Sequence, residues 1–238
     1  MNFSDMRDNI QKQILINYRV SPDALQNFLP ESLQPFIYKN WAHAGICLLN
    51  TKKLNSDWLP NWIRNNSWYV AHYFIVSKDE QPACYIPRND TSSFLNLLTG
   101  SRILAGSTKM AKIEVCDDQH QLNIQVKSKD KTFSIDYRGI RSQNLPDSSV
   151  FANLREATEF FNHEKCQYSH KLKSYSSKGP STMDEDWNVT PLATSSSTST
   201  LFEAIFPAES YEFDHAICME NTQTDWLNET NLQEADCY

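Results

Sequence analysis

Hydrophobic and polar positions alternate along much of this chain, and the alternation marks out most of its elements. Ile14, Ile16, Tyr18 and Val20 interleave with Leu15, Asn17 and Arg19, the two-residue period of a strand. That strand runs into SPDALQNFLP, where Ser21 suits an N-cap, Pro22 fits the first helical position and Pro30 stops the helix. Residues 46–49 and 68–76 are apolar on both faces apart from His72, as buried strands are. A further strand over 84–86 leads into the polar stretch PRNDTSS, read as a loop, with Asp90 or Thr91 placed to cap a helix over 94–98. Three strands then follow in meander order, 109–116, 122–127 and 132–138, joined by the polar turns DDQH and SKDK. SVFANLREATEFFNH carries Phe151, Leu154, Ala157, Phe160 and Phe161 at helical spacing. SYSSKGPSTMDED reads as a long exposed loop before a strand near Trp187, and SSSTST as an edge strand. YEFDHAICM closes the pattern, with Tyr211, Phe213, His215, Ile217 and Met219 expected on one face. Many strands, few helices and no βα alternation predict an α+β or mainly β, barrel-like domain.

Composition narrows the function classes. A net charge of −7 and no Lys/Arg run interleaved with aromatics argue against a nucleic-acid surface. No apolar stretch reaches the length of a membrane span, and MNFSDMRDNIQKQ lacks a secretory h-region, so a cytoplasmic protein without membrane partners is expected. The 6 cysteines form no CxxC pair and no zinc spacing, and read as reduced core residues. Only 5 glycines, with neither GxGxxG nor a P-loop, exclude a Gly-rich nucleotide site. No two histidines stand at metal-ligand spacing with a carboxylate, so neither metal nor cofactor is expected.

Lys109 carries the sharpest chemical signal. In the strand from residue 109 it shares a face with Ala111, Ile113 and Val115, while Met110, Lys112 and Glu114 share the other. An inward lysine loses hydration, and its amine then becomes a nucleophile suited to Schiff-base chemistry on a ketone or keto acid. Snorkelling from the strand's first position out to solvent is the plainer alternative. Arg88 and Asp90 flank a turn after a buried strand: a carboxylate clamp with an orienting or proton-shuttling acid, or equally an ion pair with a helix cap. His72 sits among aromatics, as a hydrogen-bonded core residue or a proton-transfer group. His43 and His215 have weaker claims. Ser92 and Ser93 lack a GxSxG elbow, so no hydrolase triad is supported.

INYRVSPDALQNFLPESLQP resembles the early strand and helix of acetoacetate decarboxylase, and Arg102 and Lys109 stand at the separation of that enzyme's arginine and reactive lysine. WAHAGICLL, YIPRNDTSS, SVFANLREATEFF, DWNVTPLA and YEFDHAICM, in this order, resemble the YqjF-like branch of the acetoacetate decarboxylase-like superfamily. The resemblance implies a cone-shaped antiparallel barrel with a few peripheral helices, spanning residues 1–226, with 227–238 a frayed tail. It implies a Schiff-base lyase or decarboxylase acting on a small keto acid, with Lys109 in the reactive lysine's place and Asp90 near that of the enzyme's glutamate. Together with the residues weighed above, Lys109 and Asp90 are the catalytic candidates and Arg88, His72 and Arg102 the substrate-binding ones. The alternative is a non-catalytic barrel that binds a small carboxylate; a homo-oligomer is open in either case. The chain departs from the enzyme at Met110, where a second lysine is usual, and in a longer spacing between Asp90 and Arg102. If the parity argument holds, Lys109 is buried and aimed into the barrel, Lys112 is exposed, and Arg88 or Asp90 reaches the same cavity.

Overall fold

The computed structural model describes residues 7–54, 67–78, 80–99, 104, 106–118, 120–162, 166–168, 174–176 and 187–221. Arg102, most of SYSSKGPSTMDED and the acidic tail lie outside them. In chain order the elements are β1 (Arg7–Val20), α1 (Pro22–Phe28), β2 (Gln34–Pro35), β3 (Ala42–Leu54), β4 (Ser67–Lys78), β5 (Gln81–Tyr85), β6 (Arg88–Thr91) and α2 (Phe94–Thr99). They continue with β7 (Ser107–Asp117), β8 (Gln121–Ser128), β9 (Ser134–Arg141), α3 (Leu154–Asn162), β10 (Cys166–Tyr168), β11 (Ser174–Ser176), β12 (Trp187–Ser199), α4 (Thr200–Ile205) and β13 (Tyr211–Asn221).

The order β4-β3-β1-β13-β12-β9-β8-β7-β6 returns to β4 through a β4–β6 pairing, which closes a nine-strand mixed barrel. All pairs in the wall are antiparallel except β6–β7. A barrel-like domain of many strands and few helices is what the strand pattern predicted, and a mainly antiparallel wall is what the resemblance implied. Closure removes free edges, which is how an all-β wall of this size avoids templating further strands.

Two hydrophobic layers explain the runs that are apolar on both faces. One cluster joins Ile14, Ile46, Val70, Ile124, Val126 and Ile135, residues from opposite walls that meet only across the barrel interior. The second takes the alternate residues Leu15, Cys47, Leu49, Tyr73 and Ile75 and covers them with Phe151, Ala157, Phe160 and Phe161 from α3 and the segment before it. β1, β3 and β4 are thus buried on both sides. β7 and β8 carry exposed Lys112, Glu114, Gln125 and Lys127 on the outer face. At one end Phe28, Phe202 and Phe206 pack around Phe74 and plug the interior.

α1 begins at Pro22 and stops when Leu29, held extended before Pro30, leaves the helical region. Ser21 holds the N-cap position, but its side chain makes no capping bond.

Three local expectations are corrected. PRNDTSS is not a loop: Arg88–Thr91 is β6, paired to β4 on one side and β7 on the other. Its polar residues are buried because they form the seam that closes the barrel. Neither Asp90 nor Thr91 caps α2; that role falls to Ser93, whose Oγ accepts from the Asn96 N–H at 3.4 Å. SSSTST does pair as an edge: β9 lies along it to Ser199, while the pairing of β12 with β13 ends at Leu192. Finally, the five alternate residues of YEFDHAICM do not share a face. Tyr18 pairs with Phe213 but Asn17 with His215, so Asp214 is an extra residue in a β-bulge. Tyr211 and Phe213 consequently pack on the interior, whereas Ile217 and Met219 join the outer layer.

Gly45 lies opposite Tyr73 on β4 and Asn17 on β1. A Cβ there would stand 2.4 Å from the Tyr73 ring, which crosses over Gly45 so that its hydroxyl can donate to Asn17 Oδ1. Gly45→Ala is expected to cost about 1–3 kcal/mol through overpacking. Denaturant titration checks this, and an unchanged midpoint would contradict the close approach.

Candidate functional site

The short seam strand β6 and the start of β7 bring the sequence candidates together. Residues directly opposite on paired strands share a face. Val70 faces the interior and pairs with Asp90, which pairs in turn with Lys109. Arg88, two residues from Asp90, lies on the same face. The face assigned to Lys109 is therefore right, but its burial is not. Ala111 is 2 % exposed, while the Lys109 side chain is 49 % exposed. Two residues of strand rise, about 6–7 Å, carry it from the packed interior to the rim of the barrel. Lys112 is 62 % exposed, as expected.

At this rim one acid collects the cations. Asp130 accepts from Lys109 Nζ at 2.9 Å, from Arg88 Nη1 and Nη2 at 2.8 and 3.0 Å, and from the Thr132 hydroxyl at 2.7 Å. Arg88 turns its other edge to Asp90, with Nε and Nη2 donating at 2.6 and 2.5 Å, and its guanidinium lies 5.3 Å above the Phe133 ring. Asp90 is 1 % exposed. Burial raises its pKa against the opposing pull of Arg88. Asp130 behaves oppositely: the hydrogen bonds of Arg88, then of Lys109, hold its carboxyl far below the usual range.

Asp130 was not among the sequence candidates, because SKDK reads as a polar turn. The signal lay in the register. Ala111 pairs with Ser128, and the Lys129 N–H donates to the Met110 carbonyl at 2.9 Å. Continuing by one more residue sets Asp130 beside Lys109.

His72 lies deeper. Its Nε2 is 2.8 Å from Ser199 Oγ, and its ring packs edge-on against Phe133 and Phe202 at 4.9 and 5.1 Å. Burial, then the field of Arg88, lowers its pKa to about 3. Phe133 touches both His72 and Arg88 and so lies between the histidine and the ion pairs. Arg102 is outside the described residues.

His43 and His215 lie on the outer face under α3. His43 sits among Tyr38, Phe151, Phe160 and Phe161, its ring nitrogens make no hydrogen bond among the described residues, and burial lowers its pKa to about 4. His215 joins a buried network: Nδ1 contacts Asp214 Oδ2 at 2.5 Å, and Nε2 lies 2.9 Å from the Asn17 amide.

A cleft of about 640 Å³ opens elsewhere, between Trp68 and residues such as Val115, Gln125, Asp136 and Tyr137, beyond the point where β6 ends. Arg88, Asp90, His72 and Lys109 do not line it. Among the described residues no group of three or more His, Cys, Asp or Glu is placed to hold a metal ion, and no helix is long and apolar enough to cross a membrane.

No protein-family model and no curated protein sequence matches the chain. Solved structures do. An enduracididine biosynthesis enzyme, MppR, complexed with pyruvate superposes with a TM-score of 0.55 at 12% identity, over 89% of this chain and 85% of that one. MppR complexed with the condensation product of pyruvate and imidazole 4-carboxaldehyde gives 0.53 at 12% identity, over 89% and 84%. An acetoacetate decarboxylase-like enzyme from Sphingomonas wittichii RW1 gives 0.53 at 9% identity, over 90% and 87%. The closed barrel of this chain is thus the fold of the acetoacetate decarboxylase-like enzymes.

Proposed function

We propose that this chain is a cytoplasmic protein of the YqjF-like branch that binds a small keto acid at the rim of its barrel and forms a Schiff base through Lys109. The observation that carries the reading is the shared carboxylate: one edge of Arg88 grips both oxygens of Asp130, and Lys109 Nζ donates to one of them, Oδ2. A ligand carboxylate seated there would place a carbonyl one or two carbons away beside Nζ. Bidentate recognition of this kind is what a guanidinium edge favours. Asp90 acts as a positioning residue, since it holds the far edge of Arg88. The likeness to an enzyme complexed with pyruvate supports the ligand class.

In the step itself Lys109 Nζ first gives up a proton to solvent; its lone pair then adds to the ketone carbon and water leaves, giving an imine. From a 3-keto acid, the bond to the carboxylate then breaks, its electrons enter the imine and carbon dioxide departs; protonation and hydrolysis return the amine. The test is borohydride with pyruvate and with acetoacetate, read by peptide mass. A reduced adduct on Lys109, absent from Lys109→Ala, is expected. An unmodified lysine with both acids would end the enzymatic reading.

A second reading is a carboxylate binder without chemistry, favoured by the 49 % exposure of Lys109 and by Met110 in place of a second lysine. Burial and a neighbouring cation are the two routes by which such an amine is activated. On that reading calorimetry detects pyruvate binding while borohydride traps nothing.

A further inference from the structure

The Asp130 carboxylate stands where, on the reading just given, the ligand's own carboxylate would stand. It closes two charge-assisted bonds on one Arg88 edge and a third with Lys109, so neither cation offers that face to an incoming anion. The two carboxylates on Arg88 are not equivalent. Asp90 is 1 % exposed and chelates Nε and Nη2 from within the wall. Asp130 is 33 % exposed and belongs to the β8–β9 hairpin turn, where Lys131 has a positive φ of 60°. Ion pairs open to solvent contribute little, whereas breaking a buried pair is costly. An arriving anion therefore displaces Asp130 and leaves Asp90 in place. Rotation of one short side chain empties the seat, with no change in the strands, because the Ser128–Phe133 backbone bond keeps the hairpin closed.

We infer that Asp130 is a built-in competitor for the ligand: an internal carboxylate that occupies the Arg88–Lys109 seat in the free protein and must swing away before a small carboxylate can bind. A competitor of this kind lowers apparent affinity by the fraction of molecules in which the seat is occupied. It also discriminates, since a neutral ketone has nothing with which to displace it.

Asp130→Asn removes the competing charge but keeps an oxygen able to accept from the Thr132 N–H and hydroxyl. Asp130→Ser is the second variant should the first disturb the turn, with the thermal melt of each compared to wild type. Acetate binding, followed by calorimetry on the full chain, reads the seat alone; borohydride trapping with pyruvate reads the chemistry. The expected result is an acetate Kd about tenfold tighter in the variants, corresponding to a seat occupied in about nine molecules of ten. Unchanged or weaker acetate binding in two folded variants overturns the inference, even if pyruvate is trapped on wild-type Lys109. Tighter acetate binding with no pyruvate adduct in any protein upholds the competitor and removes the Schiff-base reading. Failure of both measurements removes both.

Discussion

Asp214→Ala is expected to lower the stability of this protein by about 3–5 kcal/mol, a loss typical of stripping one partner from a buried charged network. Asp214 is 0 % exposed, and its oxygens receive the Ser149 hydroxyl at 2.8 Å, the Val150 N–H at 3.0 Å and His215 Nδ1 at 2.5 Å, with Arg19 Nη1 at 3.7 Å. Burial alone would raise the pKa of this carboxyl, yet its bonds, led by that to His215, bring it below the ordinary value. The contacts tie the β13 bulge to the segment preceding α3. Through His215 they continue to Asn17, and from there to the Tyr73 hydroxyl. Alanine would leave the Ser149, Val150 and His215 donors facing a dry layer lined by Phe151 and Phe161, and an unmet buried donor costs about 1–3 kcal/mol. Denaturant titration should show a lower midpoint with an unchanged slope, the mark of lost stability without a changed fold. Asp214→Asn, which keeps an acceptor, should cost less. A loss below about 1 kcal/mol for alanine would mean that the network does not anchor α3.

This network shows where reading the chain stops. The alternation in β1, β7, β8 and β9 was legible, because one period fits one face and the interior demands it. The doubly apolar runs of β3 and β4 were legible as buried, although only the position of α3 explains what covers their outer side. The bulge at Asp214 was not legible. Nothing local distinguishes YEFDHAICM from a regular strand, and only the partner strand reveals that one residue is extra. β6 was hidden for a related reason: RNDT has the composition of a turn, and its backbone becomes a strand because β4 and β7 both offer hydrogen bonds to it. The site divides in the same way. Parity within one strand set Lys109 on the inward face, but the depth at which the packed interior ends is a property of the whole barrel. Asp130 needed the register between two strands. Arg88 and Asp90 were found from their place just after a buried strand, and the ion pair that was weighed against a ligand clamp does form; it occupies only one edge of the guanidinium, and the other edge is held by Asp130.

Acidification from pH 7 to pH 4 is expected to remove several kcal/mol of stability, and His72 is expected to account for roughly 3 kcal/mol of it, at about 1.4 kcal/mol for each pH unit. The sign follows from where the proton is refused. Burial, aided by the nearby Arg88, lowers the folded pKa of His72 to about 3, whereas an unfolded histidine titrates near 6.5. Between those values the unfolded chain binds a proton that the folded protein does not. The contribution is therefore complete above about pH 6.5, declines as pH falls and levels off near 3. His43, lowered to about 4 by burial, acts in the same direction and the same window. The depressed carboxyls of Asp130 and Glu156 add to the loss only below about pH 5, where their unfolded counterparts begin to take up protons. His72→Gln cannot titrate and retains an amide that can meet Ser199 Oγ, so it should lose stability less steeply below pH 6.5 even if it starts lower at pH 7. His43→Phe should behave likewise, and with less initial cost, because phenylalanine suits the aromatic surroundings and removes two nitrogens that lack partners among the described residues. Urea titrations at pH 7.0, 5.5 and 4.5 measure the slope for each protein. Parallel pH profiles for wild type and His72→Gln would show that His72 accepts its proton in the folded state, and the buried neutral imidazole at the heart of the barrel would have to be abandoned.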